Sequence, residues 1–154
     1  MKIKVVCIGK SQKGAISSDV KRFIKLLGPY CKLEVVELAE EKVSKTFSSE
    51  KVKEIEGQNI LNNLEGYTIA LDEAGKEMTS RKFAKVLEEK KDLGETVTFV
   101  IGGAFGLSDE VKDSVNLKLS LSQMTFTHQM VRLFLLEQIY RGFCIILGKE
   151  YHND

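Results

Sequence analysis

The chain has 154 residues, 43% hydrophobic and 29% charged, enough for one domain over residues 1–154 built on one real core. Its 23 basic and 22 acidic residues leave a formal charge of +1, which excludes a protein held to nucleic acid by a broad basic surface; any RNA contact has to be local. No run approaches the ~18 apolar residues of a membrane span.

The opening MKIKVVCIGK is a short apolar run without a small-residue cleavage pattern, so it reads as a strand over residues 3–8, not as a signal peptide. A helix over residues 18–27 follows, with Val20, Phe23, Ile24 and Leu27 at helical spacing and Gly28-Pro29 as its stop. Residues 33–38 read as a second strand, 49–64 as a helix carrying Val52, Ile55, Ile60 and Leu64, and 67–71 as a third strand. Thr79 is placed to cap a helix that carries Phe83, Val86 and Leu87 and ends at Leu93-Gly94. A fourth strand over 97–101, a short helix capped by Ser108, a short strand over 117–121, a long helix over 127–142 and a last strand over 143–147 complete the chain. Strands alternating with helices mean an α/β fold with a parallel sheet. Cys7, Cys31 and Cys144 are odd in number and far apart, which suits neither a disulfide framework nor a zinc site. They are expected as reduced thiols of a cytoplasmic protein, two of them in apolar strands, with no metal.

In open α/β sheets ligands collect beyond the carboxyl ends of the strands, so the segments after the strands carry the functional signal. Gly9-Lys10-Ser11 imitates the end of a phosphate-binding loop, but that motif needs a glycine where this chain has Lys4, and a plain strand-to-helix turn is the expectation. In LDEAGKEMTS, Asp72, Glu73 and Lys76 read as charges turned to water around a turn at Gly75; the adjacent carboxylates make a poor acid/base pair. In IGGAFGLSDE, Gly102 and Gly103 directly after a strand let a ligand approach the backbone, and a simple tight turn explains them as well. In LSQMTFTHQM, the hydroxyls of Ser122 and Thr125 alternate with Leu121, Met124 and Phe126. That mixture suits a flat heteroaromatic such as adenine, with apolar walls and polar groups at its edge, and it equally suits a plug over the core.

Thr127 is the expected cap of the long helix. On that helix His128, Gln129 and Arg132 share one face, and Glu137, Gln138 and Arg141 lie nearly opposite. The remaining positions are apolar all round, so a subunit interface is the expected cover. Arg141 stands four residues after Glu137, the spacing of an intrahelical pair. His128 at a helix N-terminus fits a structural hydrogen-bonding role as well as a functional one.

Taken together, LDEAGKEMTS, FVIGGAFGLSDEV, LSLSQMTFTHQMVRLFLLEQIYRG and the closing GKEYH resemble the RlmH-type family of SPOUT methyltransferases. RFIKLLGPYCKLEVVEL and EGQNIL extend the likeness over practically the whole chain. The resemblance implies methylation of N3 of a pseudouridine in bacterial 23S rRNA, within the assembled 70S ribosome, from S-adenosyl-L-methionine. It implies a sheet whose C-terminal part is threaded into a trefoil knot, which ordinary chain topology almost never shows. Leu71, Gly102, Leu121, Ser122, Gln123, Met124, Thr125 and Phe126 match the positions that hold the cofactor, and the family is homodimeric through its C-terminal helix. Among candidate catalytic residues, the tail pair Tyr151 and His152 would reach across the dimer, with Arg141 as a substrate anchor and His128 as a further electrostatic or proton-accepting group. Thr127 stands where the family commonly has Pro, Ala104 where Pro or Ser is frequent, Glu150 where Pro often precedes Tyr-His, and Asn153-Asp154 where a basic terminus is common. Two other classes fit the bare pattern: a non-catalytic ribosome-associated protein, and a flavodoxin-like nucleotide-binding module.

Overall fold

The computed structural model describes residues 1–10, 14–45 and 47–151. Five strands, β1 (Lys2–Ile8), β2 (Lys32–Leu38), β3 (Tyr67–Glu77), β4 (Val97–Ile101) and β5 (Leu117–Ser120), alternate with five helices, α1 (Ala15–Leu27), α2 (Ser49–Leu61), α3 (Ser80–Asp92), α4 (Asp109–Ser114) and α5 (His128–Ile146). The strands form one sheet in the order β2-β1-β4-β3-β5, and every pairing is parallel.

Side chains leave a strand alternately to its two faces, and each face finds its own helices. Ile3, Val5 and Cys7 of β1 and Val97, Phe99 and Ile101 of β4 pack with Val20 and Leu27 of α1, Phe83 and Leu87 of α3, and Leu135, Leu136, Ile139 and Phe143 of α5. Val6, Ile8, Ala70 and Val100 turn the other way, onto Ile60 of α2 and Val111 of α4. The result is three layers, with α5 as the long spine of the thicker one.

The helix starts are written in hydroxyl side chains. Ser48, Thr79, Ser108 and Thr127 each accept a hydrogen bond from the backbone N–H three residues on, at 3.2, 3.3, 3.4 and 3.4 Å. Each satisfies one donor that the first helical turn leaves without an intrahelical partner. The first helix begins at Ala15, three residues before the expected start, and the second ends at Leu61, three before the expected end.

Two expectations are corrected. Residues 143–147 are not a strand: α5 runs on through Gly142 to Ile146, so Cys144 lies in a helix. Gly142 does not end the helix; it lets α3 approach, since a Cβ there would stand 2.9 Å from Leu87 Cδ1. The third strand does not stop at Leu71. It resumes pairing at Lys76 after a bulge, because Leu71 and Lys76 both face Leu119 of β5.

The three thiols are free and buried, and burial raises those of Cys7 and Cys31 to about 11. Among the described residues no helix is long and apolar enough to cross a membrane, and no group of three or more His, Cys, Asp or Glu could hold a metal ion.

Because Leu135 is fully enclosed between α5 and the sheet, Leu135→Ala is expected to lower the unfolding free energy by about 2–5 kcal/mol. The check is a lower urea midpoint at unchanged m-value.

Candidate functional site

The carboxyl ends of β3, β4 and β5 open onto one cavity of about 760 Å³. Leu71 and Asp72 enter it from β3, Gly102 to Leu107 from the turn after β4, and Leu121, Ser122, Met124, Thr125 and Phe126 from the segment after β5. His128 and Val131, at the start of α5, close one side. Seven of the eight residues matched to cofactor positions therefore line one hollow. Gln123 instead borders a shallow depression beside Glu73, Ala74, Gly75 and Glu77.

Each loop is held by specific bonds. After β4, the Gly106 N–H donates to the Gly103 carbonyl at 3.1 Å and closes a four-residue turn. Gly106 has φ of +76°, where glycine alone is at ease. Neither glycine before it can carry a side chain cheaply. A Cβ on Gly102 would meet Gly106 C at 2.9 Å, and one on Gly103 would meet Glu56 Oε2 at 2.8 Å. After β5, the Met124 N–H donates to Ser122 Oγ at 3.0 Å, and Thr125 Oγ1 donates to Glu73 Oε2 at 2.8 Å. Phe126 is wedged edge-on against Phe134 of α5, with ring centroids 5.3 Å apart.

The segment after Leu71 is not simply a charged turn in water. Glu73 and Lys76 are exposed, but Asp72 is pinned: Lys112 of α4 lies 2.8 Å from Oδ2, and the Ala74 N–H donates to Oδ1 at 3.0 Å. Burial pushes this carboxyl up, but Lys112 and the Ala74 amide outweigh it and hold Asp72 below its ordinary value. Gly75 then passes directly over β5, where a Cβ would come 2.7 Å from the Lys118 carbonyl carbon.

Two charged residues, Arg132 and Glu56, are buried, which the sequence did not reveal. Arg132, 1% exposed, donates to Glu37 Oε1 of β2 at 2.6 Å and to the Gly9 carbonyl at 2.9 Å, which ties α5 to the ends of β1 and β2. Gln129 on the same face donates to the Lys10 carbonyl at 2.9 Å. The turn after β1 is thus backbone to be held; Lys10 is exposed, and Ser11 lies outside the described residues. Glu56 of α2, 2% exposed, accepts the Glu41 N–H at 3.0 Å and sits under Gly103. Burial pushes its carboxyl up, against that amide and with Glu40 and Glu41 reinforcing it. Only the apolar neighbours Val52 and Ile60 hinted that this face of α2 turns inward.

Of the described residues expected to act on the substrate, only His128 lines the cavity. Arg141 pairs with Glu137 Oε1 through Nε at 3.0 Å and Nη2 at 2.6 Å, the spacing-based expectation. Tyr151 folds back on the same helix. Its ring packs on Tyr140 with centroids 4.8 Å apart, Arg141 lies 4.9 Å from its centroid, and its hydroxyl donates to Glu137 at 3.3 Å. A second hollow of about 350 Å³ connects this cluster to the segment after β5, since Glu137, Phe134, Phe126 and Ser122 share its wall. His152 lies outside the described residues.

Residues 1–152 match the family described as "Predicted SPOUT methyltransferase". Ribosomal RNA large subunit methyltransferase H of Halothermothrix orenii is 46% identical over 159 aligned positions, which cover 99% of this chain and 100% of that protein. The protein of the same name from Clostridium beijerinckii is 42% identical with the same coverage. Among solved structures, one described as a "probable methylase family protein" of Haemophilus influenzae has a TM-score of 0.60 at 14% identity, over 99% of this chain and 70% of that one. The SpoU methyltransferase AviRb of Streptomyces viridochromogenes, solved with AdoMet, has a TM-score of 0.51 at 11% identity, over 97% of this chain and 59% of that one.

The Asp72–Lys112 tie predicts an acid-sensitive stability term. A carboxyl held below its ordinary value stabilises the fold fully above the unfolded pKa of about 4 and loses that contribution as pH falls through the folded value. In urea titrations, wild type is expected to exceed Asp72→Asn in stability by a constant margin at neutral pH, and the margin to close below about pH 4.

Proposed function

The chain belongs to the SPOUT methyltransferase family, and from that premise we propose that it methylates N3 of a pseudouridine in 23S rRNA of the assembled 70S ribosome, working in the cytoplasm as a homodimer. The observation that carries this reading is the convergence of Leu71, Gly102 and the 121–126 segment on one cavity, in a chain 46% identical over its length to a ribosomal RNA large subunit methyltransferase.

The lining fits S-adenosyl-L-methionine. Leu121, Met124 and Phe126 offer apolar walls, Ser122 and Thr125 offer hydroxyls, and Gly102 brings bare backbone to the surface. These residues, with Leu71, would hold the cofactor, and Gln123 would close the loop from outside. When bound, the cofactor supplies an already activated methyl group, so the protein mainly has to position the reactants. The path of the chain supports a trefoil knot: β5 runs beneath the arch of residues 72–75, close enough to Gly75 that no side chain would fit between.

The remaining chemistry concerns a proton. The N3–H of a uracil-like ring is weakly acidic, and its loss leaves an anion that a nearby cation stabilises. Arg141 suits that task, because its hydrogen bond to Glu137 raises its pKa further and keeps it charged. Burial pushes the Tyr151 phenol up, so at neutral pH it donates a hydrogen bond and does not act as a base. The proton acceptor is then a histidine, and His152, adjacent to Tyr151, is assigned that role, with His128 in the cavity as an electrostatic partner. Arg141 and Tyr151 stand apart from the cavity within one chain, so they would serve the site of a second copy. Met130 and Phe134 on α5 remain half-exposed beside fully buried Leu135 and Leu136, and such apolar surface on a long helix fits a dimer interface.

The test is tritium transfer from labelled S-adenosyl-L-methionine into ribosomes from a strain that lacks the endogenous enzyme. Label is expected on a pseudouridine of 23S rRNA, more in 70S particles than in isolated large subunits. His152→Ala is expected to lower kcat by about 100-fold or more with S-adenosylhomocysteine binding unchanged. Bound cofactor with no label in any particle would favour a non-catalytic ribosome-associated protein. Preference for a phosphorylated ligand would favour a nucleotide-binding module.

A further inference from the structure

The cofactor positions account for only part of the cavity lining. Phe105 and Lys53 also border it and match none of those positions. Phe105 stands 43% exposed at the tip of the turn that the Gly106 to Gly103 hydrogen bond closes. Its ring belongs to neither hydrophobic cluster and has no aromatic or cationic partner among the described residues. Phe126, in the neighbouring loop, is by contrast packed against Phe134. An aromatic ring left uncovered on a pinned turn, at the mouth of a ligand cavity, is preorganised to receive a flat partner. Lys53 of α2 makes no ion pair among the described residues, whereas the cavity's other lysine, Lys112, is committed to Asp72. The cavity therefore offers an aromatic face without a ring partner and, in Lys53, a cation outside any ion pair among the described residues, with only a weak charge interaction with Glu50.

A ring nitrogen on the pairing edge of a base is out of reach while the base stays stacked, so the target nucleotide has to be turned out of its helix, and its π-face then needs a new surface. We propose that Phe105 is the stacking platform for that flipped-out pyrimidine base and that Lys53 takes the phosphate of the same nucleotide. This assignment rests on the methyltransferase reading and names the substrate half of the same site. Phe105 acts by positioning: it touches the base but exchanges no proton or methyl group.

The label-transfer assay on 70S ribosomes tests it, with S-adenosylhomocysteine binding measured in parallel. Phe105→Ala is expected to lower kcat/KM about 5- to 150-fold, the usual loss for one base–aromatic stack, with cofactor affinity and Tm unchanged because the ring packs on no core. Phe105→Trp is expected to restore turnover, which a purely structural turn residue has no reason to do. Lys53→Gln is expected to raise KM at every salt concentration and to reduce the slope of log KM against log salt by about one. Unchanged kcat/KM in Phe105→Ala, a loss matched by lost cofactor affinity, or failure of Trp to rescue would each overturn the platform. An unchanged salt slope in Lys53→Gln would overturn the phosphate contact. If wild type itself transfers no label, the methyltransferase reading fails and the subsite with it; if wild type is active, the variants judge the subsite alone.

Discussion

Leu119 faces β3 twice, at Leu71 and again at Lys76, and the four residues squeezed out between those pairings shape everything around them. A strand that simply ended at Leu71 would send the chain away from the sheet. The bulge instead keeps residues 72–75 over β5 and aims each side chain at a different neighbour. Asp72 reaches α4 through Lys112, Glu73 reaches the loop after β5 through Thr125, and Gly75 lies on the backbone of Lys118. Bulges cost ladder hydrogen bonds and appear where a chain has to be re-aimed. Here the lost pairing is offset by polar contacts that set the spacing between the two loops of the cavity.

The opposite wall is set by a buried guanidinium. Placing Arg132 at 1% exposure is expensive unless its donors are occupied. Its Nη1 bond to Glu37 and its Nη2 bond to the Gly9 carbonyl offset much of that cost while fixing where α5 begins. Thr127 caps the helix at the same point, so the segment from Leu121 to Phe126 is stretched between two anchored ends, β5 and a helix start that cannot drift. A loop of that length would otherwise sample many conformations, and binding would have to order it at an entropic cost. The strand ends face one side because a parallel sheet has a common direction, yet the bonds of Asp72, Thr125 and Arg132 turn that coincidence into a cavity of defined shape.

Much of this was legible because it is local. Thr79, Ser108 and Thr127 announced their helices, and the Glu137 to Arg141 spacing announced its ion pair, since each contact spans three or four residues. Motif resemblance pointed to Leu71, Gly102 and residues 121–126 before any packing was known, and seven of those eight residues do share one hollow. What failed depends on distant partners. Gly142 reads as a stop until Leu87 is known to press against it. Residues 72–77 read as a loop until β5 is known to lie beside them. Glu56 reads as one more surface carboxylate until Gly103 and the Glu41 amide enclose it. Strand order is of the same kind: periodicity marks the five strands of the sheet, with a sixth over 143–147 that is helix, but carries no record of which neighbour each will choose.

The electrostatics close the argument about partners. With a formal charge of +1, the chain has little long-range attraction for a polyanion. Many of its cations are moreover answered locally, Lys112 by Asp72, Arg132 by Glu37, Arg141 by Glu137 and Lys2 by Glu34 and Glu65. Each such pair orients a side chain but cancels its field beyond a few ångströms at physiological salt. Phosphate contacts that release counterions would then be few, and free RNA would be held weakly. An assembled ribosomal surface differs from free RNA in presenting its grooves, loops and protein edges in one fixed geometry. For the substrate proposed above, recognition through shape would ask for rigid loops and a rigid helix, and the bonds of Asp72, Thr125 and Arg132 hold those elements in place.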